Sequence, residues 1–309
     1  MKGLPFLLLA VAGLSLWSGP YPLSGGDPMA QIVLLEYRLP RLLLAMGCGA
    51  GLALSGALLQ GLTRNPLADP GLLGVSQGAA LAVVALIVLT PAAPFALRLP
   101  VAFGGALAAA ALVQTVGRGA PLRLILSGIG LSALLAALIS ALLTHGGLRE
   151  AETALGWLAG SLHAATLAEA GLMALILLAL APLCALLAPA LGVLRLGEEV
   201  ALALGLPLLR VRRLILLAAV LAAAAPAALV GPLGFIGLIA PHLAARLSAA
   251  PGRHLWLSAL TGAALLALAD LAGRSLGAVQ VPAGLITSIL GAPLFLWLLI
   301  RRPAAGGAR

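Results

Sequence analysis

Apolar residues fall in long blocks along this chain, separated by short polar, proline- or glycine-rich stretches. The blocks lie near residues 4–18, 42–62, 71–90, 99–117, 122–143, 167–191, 213–230, 233–248, 255–273 and 281–300. Most are about 20 residues long, enough for a helix rising 1.5 Å per residue to cross a hydrocarbon layer of about 30 Å. None has the strict alternation of a barrel strand. In lipid the backbone must satisfy its own hydrogen bonds, so the pattern predicts an all-α, polytopic bundle of about ten transmembrane helices. One domain, residues 1–309, accounts for the whole chain. The block at 4–18 follows Met1-Lys2 in the manner of a signal peptide, but lacks a small-x-small cleavage site at the expected place. It reads as a first, slightly short membrane helix.

The breaks between blocks carry most of the information. Arg38 and Arg41 bracket Leu39-Pro40 just before the second block. Inside that block Gly47, Gly51 and Ser55 recur every fourth residue, a spacing that lets a neighbouring backbone approach one helix face. Asn65-Pro66 and Asp69-Pro70 then stop the helix, because proline disfavours helical geometry in the residue before it. Residues 144–166 form a more polar stretch, expected as a partly helical external connection. On the opposite side, residues 195–212 hold a longer polar-leaning connection. Within it Gly197-Glu198-Glu199-Val200-Ala201-Leu202-Ala203-Leu204-Gly205 reads as a short amphipathic helix between two glycines.

Composition narrows the class. The chain is 62% apolar and 9% charged, with a mean hydropathy of +1.16. A soluble chain carries about a quarter charged residues, so this one needs lipid around it. Its net charge of +9 is dispersed, which excludes a nucleic-acid patch. With the N-terminus inside, Lys2 and arginines 64, 118, 123, 195, 210, 212, 213, 246, 253, 301, 302 and 309 fall on the cytoplasmic side. Arginines 38, 41, 98, 149 and 274 fall outside. That bias follows the positive-inside rule and places both termini in the cytoplasm. Lys2 is the single lysine, so the chain holds no Walker A motif. If ATP drives this protein, another chain hydrolyses it.

Candidate chemistry is sparse. Cys48 and Cys184 lie in apolar blocks, as small core residues do. The four histidines (145, 163, 242 and 254) form no HExxH pair, which removes a zinc-protease helix. Gly74-Val-Ser76-Gln-Gly78 matches GxSxG, but at the start of a membrane helix and not at a strand-to-helix turn. Asp270 and Arg274 stand four apart near the end of a block, where side chains meet on one helix face. No cofactor or metal site is expected.

Several stretches together resemble one family. RLPR at 38–41, SGALLQ at 55–60, RNPLADPGLLGVSQGAAL at 64–81, GEEVALALG at 197–205, GPLGFIGLIAPHLAAR at 231–246 and ADLAGR to ILGAPLF within 269–295 are similar to the permeases of ATP-driven importers for iron–siderophore complexes, haem and vitamin B12. The resemblance covers nearly the whole chain. It implies a homodimer with the pathway along the dimer axis, two ATP-binding subunits and an extracytoplasmic substrate-binding protein, in the bacterial inner membrane. It further implies that Arg38, Arg41 and Arg274 receive acidic residues of the binding protein. Asn65, Pro66 and Leu67 would form the cytoplasmic gate. Gly197, Glu198, Glu199, Val200, Ala201, Leu204 and Gly205 would form the element that couples to the ATPase, with Val200, Ala201 and Leu204 filling its cleft. A second gating loop of some relatives is replaced here by Ala120-Pro121-Leu122. The alternative from another class is an ion-gradient-driven transporter, for which Asp270 is almost the only suitable ionisable residue.

Overall fold

A computed structural model describes residues 3–19, 21, 28–117, 121–247, 254–275 and 280–300. Among these residues the regular elements are all helical: α1 Gly3–Trp17, α2 Pro28–Ile32, α3 Leu39–Thr63, α4 Val75–Leu89, α5 Arg98–Val116, α6 Pro121–His145, α7 Leu148–Leu158, α8 Leu167–Leu194, α9 Glu198–Ala203, α10 Leu208–Val230, α11 Ile236–Leu247, α12 His254–Ser275 and α13 Ala283–Ile300. Each of the ten apolar blocks yields a helix. Six are long and apolar enough to cross a bilayer, and four are shorter. Lys2, Arg118, Arg253 and residues 301–309, used in the charge count, lie outside the described residues, as does Ala120.

Helix α3 is the axis of the bundle and packs against α8, α10, α11 and α12. Its most apolar window is 78% buried, whereas that of α6 is only 17% buried. The bundle is therefore built outward from α3, and α6 presents its apolar surface to lipid or to another chain. The small-residue face does what its spacing requires. A Cβ on Gly51 would lie 2.8 Å from the Ala222 carbonyl oxygen, and the Ser55 hydroxyl donates to the Ala219 carbonyl at 2.6 Å. On other faces α3 meets its neighbours backbone to backbone, with Gly49 against Gly262 and Gly56 against Gly237.

Two departures from regular helices matter for function. First, α2 and α3 are one continuous run joined by a π-helical turn, Val33–Arg38. Arg38 and Arg41 thus sit within a helix and not ahead of one. Pro40 cannot donate a hydrogen bond and crowds the preceding turn, which the wider π turn accommodates, with the Leu39 N–H reaching Leu34. Second, the block expected at 233–248 becomes helical only at Ile236. Helix α10 ends beside Leu44 of α3, and Gly237 touches Gly56. Those α3 positions are about 18 Å apart along the axis. The intervening residues cover that depth in non-helical form, at about 3.3 Å each. This explains how a twelve-residue helix can complete a crossing. Such backbone is tolerated at membrane depth only inside protein, and here it is packed against Trp157, Gly160 and Gly291. The Ser161 N–H bonds the Val230 carbonyl at 3.0 Å, which helps close the crossing.

A methyl group added to Gly56 would overlap the Gly237 carbonyl, whereas one on Gly104 meets nothing within 4 Å. Gly56→Ala should therefore lower the melting temperature of detergent-purified protein sharply, and Gly104→Ala should leave it unchanged. Equal melting curves for the two variants would refute backbone contact at Gly56.

Candidate functional site

The two ends of α3 lie about 37 Å apart and each gathers polar residues. At its start, the three arginines singled out by the sequence come together, but they are turned inward. Arg38, 5% exposed, donates Nη1 to the Leu16 and Trp17 carbonyls at 2.8 and 3.0 Å. It thereby satisfies carbonyls that the end of α1 leaves open. Arg274 donates to the Ser15 carbonyl at 2.8 Å and to its hydroxyl. Arg41 grips Asp270 from the side: Nε lies 2.9 and 3.0 Å from its two oxygens, and Nη2 lies 2.9 Å from Oδ1. Arg274 lies 3.7 Å from the other face of the same carboxylate. Arg41 is the most open of the three, and its Nη1 reaches Gln280 at 2.8 Å, which in turn contacts His163 at 3.1 Å. The anticipated Asp270–Arg274 pair therefore exists as the weaker half of a three-residue cluster. Arg41, 229 positions away, is the stronger partner, and nothing in the local spacing announced it.

Near this end lies a cavity of about 190 Å³ lined by Leu44, Trp157, His163, Glu169 and Arg98 among others. Arg98 stands 4.7 Å above the Phe95 ring, a cation–π arrangement. The volume falls below the roughly 300–1,000 Å³ of small-molecule pockets. A bulky cargo does not fit within this cavity.

At the far end, Arg64 closes α3 in left-handed geometry, φ +52°. The Asn65–Leu67 turn that follows is self-bonded: Asn65 Oδ1 accepts from the Leu67 N–H at 3.0 Å, and the Ala68 N–H reaches the Asn65 carbonyl at 3.0 Å. Asp69 Oδ1 accepts from the Gly71 N–H at 2.7 Å and caps a 3₁₀ turn, Pro70–Leu73. Burial pushes the Asp69 carboxyl up, and the Gly71 bond opposes that shift. The turn is stiffened by side-chain bonds as well as by Pro66 and Pro70. Gly74 is left-handed and leads into α4 without any strand, so Ser76 has no nucleophile elbow.

The amphipathic segment forms α9, entered through Gly197 at φ +114° and left through Gly205 at φ +77°, angles that favour glycine. Its faces differ from expectation. Ala201 is fully buried in its own chain and so does not project toward a partner, which corrects the reading that it fills a cleft. The exposed apolar residues are Val200, Leu202 and Leu204; Val200 and Leu204, four apart, share a face, whereas Leu202, also exposed, points to the other side of the helix. Glu199 is exposed, whereas Glu198 turns back to Arg64 and Arg212.

Ten apolar helices, six of them long enough to cross a bilayer, define a polytopic membrane protein. The FecCD transport family model matches residues 7–301, and the chain belongs to that family. It is 41% identical over 290 residues to the Fe(3+)-citrate import system permease protein YfmE of Bacillus subtilis, covering 90% of this chain and 84% of that one. It is 40% identical to the cobalamin import system permease protein BtuC of Halobacterium salinarum, covering 96% and 80%. A solved inward-facing metal-chelate type ABC transporter superposes with a TM-score of 0.91 at 33% identity, over 97% of this chain and 98% of that one. The protein is an ABC-importer permease and not itself the ATPase. The ion-driven alternative also loses its candidate residue, because Asp270 is held by two arginines.

Replacing the buried Asp270 with Asn leaves the partly buried Arg41 and Arg274 guanidinium groups without their counter-charge. Breaking a buried pair in this way costs roughly 3–5 kcal/mol. The melting temperature of the Asp270→Asn protein in detergent should fall accordingly, and a wild-type value would show that the cluster contributes nothing to the fold.

Proposed function

We propose that two copies of this chain form a homodimer that carries a metal chelate (an iron chelate, haem or cobalamin) inward along the two-fold axis. Two ATP-binding subunits would sit beneath it and a substrate-binding protein above it. The single observation that carries the reading is α9. A glycine-bracketed helix that projects Val200 and Leu204 outward from one face, with Leu202 also exposed beside them, is suited to a cleft on a partner, as helix-in-groove recognition requires. The small cavity within one chain and the largely uncovered α6 both favour a path between copies. Arginine bias supports an orientation with the Asn65 end in the cytoplasm and the Arg38 end outside, in a bacterial inner membrane with both termini inside. The binding protein then docks on the arginine end. Arg41 meets its acidic residues through the more open side of the guanidinium, while Arg38 and Arg274 hold the surface in shape. Asn65, Pro66 and Leu67 form the cytoplasmic gate.

One nanodisc experiment tests both partner faces. Val200→Asp, Leu202→Asp and Leu204→Asp together should release the ATPase subunits and leave binding-protein association intact. Arg41→Gln should do the reverse, weakening the binding protein by about tenfold or more. If neither association changes, both faces are misassigned.

The gate has its own test. Across a two-fold axis each residue faces its copy, so Leu67 opposes Leu67. In a Cys48→Ser, Cys184→Ser background, Leu67→Cys should cross-link between subunits in the closed state and block transport until reduced. A cross-link of equal yield in every nucleotide state, or one that leaves transport running, makes this turn scaffold.

A further inference from the structure

We infer that Glu198 is the joint through which α9 moves the gate turn, with Arg64 and Arg212 as its two sockets. The inference rests on the coupling and gate roles proposed above. Glu198 is the first residue of α9, and one of its oxygens, Oε1, is shared by two guanidinium groups. Arg212 belongs to the start of α10, and its Nη2 makes the closer contact. Arg64 contributes Nη2 at 3.5 Å and is the residue that ends α3 and begins the Asn65 turn. The backbone of α9 packs on α8 and α10, so the carboxylate extends its reach to a third element. Glu199, next along the chain, is exposed and joins neither arginine.

Geometry makes this link directional. Arg64 has φ +52°, so its backbone is bent at the point where α3 gives way to the turn, and the turn beyond it is rigidified by its own hydrogen bonds. A pull on the Arg64 side chain therefore moves Asn65–Leu67 as a unit. All three side chains are partly open to solvent, at 46%, 38% and 28%. Exposed pairs of this kind add little to stability. The same openness lets the contact lengthen and re-form as α9 shifts, which a buried pair resists. Its role is to position the gate.

The test uses the permease co-expressed with its ATPase subunits and reconstituted in nanodiscs, with bimane attached at Leu67→Cys in the Cys48→Ser, Cys184→Ser background. Glu198→Gln and Arg64→Gln should each retain the ATPase subunits and their ATP hydrolysis, yet reduce the bimane response to ATP plus vanadate by about fivefold. Arg64→Lys should stay within about twofold of the parent, and the double variant should be no worse than either single one, because the two residues act through each other. A full bimane response in the single variants, or losses that multiply in the double variant, would overturn the joint. Release of the ATPase subunits by Glu198→Gln would also overturn it, because Glu198 would then belong to the subunit contact. Failure of the unmutated chain to hold the ATPase subunits would instead refute the proposed function itself.

Discussion

Close approach of helix backbones is the constraint on which this structure depends. Lipid tails are as apolar as leucine, so apolar side chains gain little by leaving lipid for another helix. Association must come from tight packing, and α3 obtains it where Gly49 meets Gly262 and Gly56 meets Gly237 with no side chain between. These contacts fix how α11 and α12 sit against the axis. Everything carried at the two ends of α3 inherits its position from them.

The arginine cluster is the polar counterpart of that packing. Arg38 and Arg274 spend their donors on carbonyls and a serine at the end of α1, tying a short helix to the bundle. Arg41 and Asp270 join α3 to α12. A surface that docked a partner repeatedly, as proposed for this end, would gain from such rigidity, because an arginine already oriented loses less freedom on meeting a carboxylate. Structural and recognition roles are therefore compatible in one cluster.

Much of the architecture was legible in the amino-acid order, because lipid forces a long apolar run for each crossing. The α9 helix was legible too, through its flanking glycines and two leading glutamates. Which side of α9 faces outward was not: Ala201 and Leu202 are neighbours of similar apolar character, and only the packing of α9 on α8 and α10 buries one and exposes the other. Contacts such as Arg41 with Asp270 escape because no local period links residues so far apart. One signal was present and unused. Thr166 and Glu169 stand at capping-box spacing ahead of an apolar block, and they do bond reciprocally at the start of α8.

The non-helical crossing between α10 and α11 has a consequence for how the protein is made. A continuous helix can leave the insertion machinery and wait in lipid, since its backbone is already satisfied. Residues 231–235 cannot, because their neighbours are Trp157 and Gly160 from earlier in the chain and Ser288 and Gly291 from later. Until α13 has been synthesised, this segment has no complete enclosure. Assembly of the permease is thus ordered by the chain itself, and α13 closes a crossing begun some fifty residues earlier.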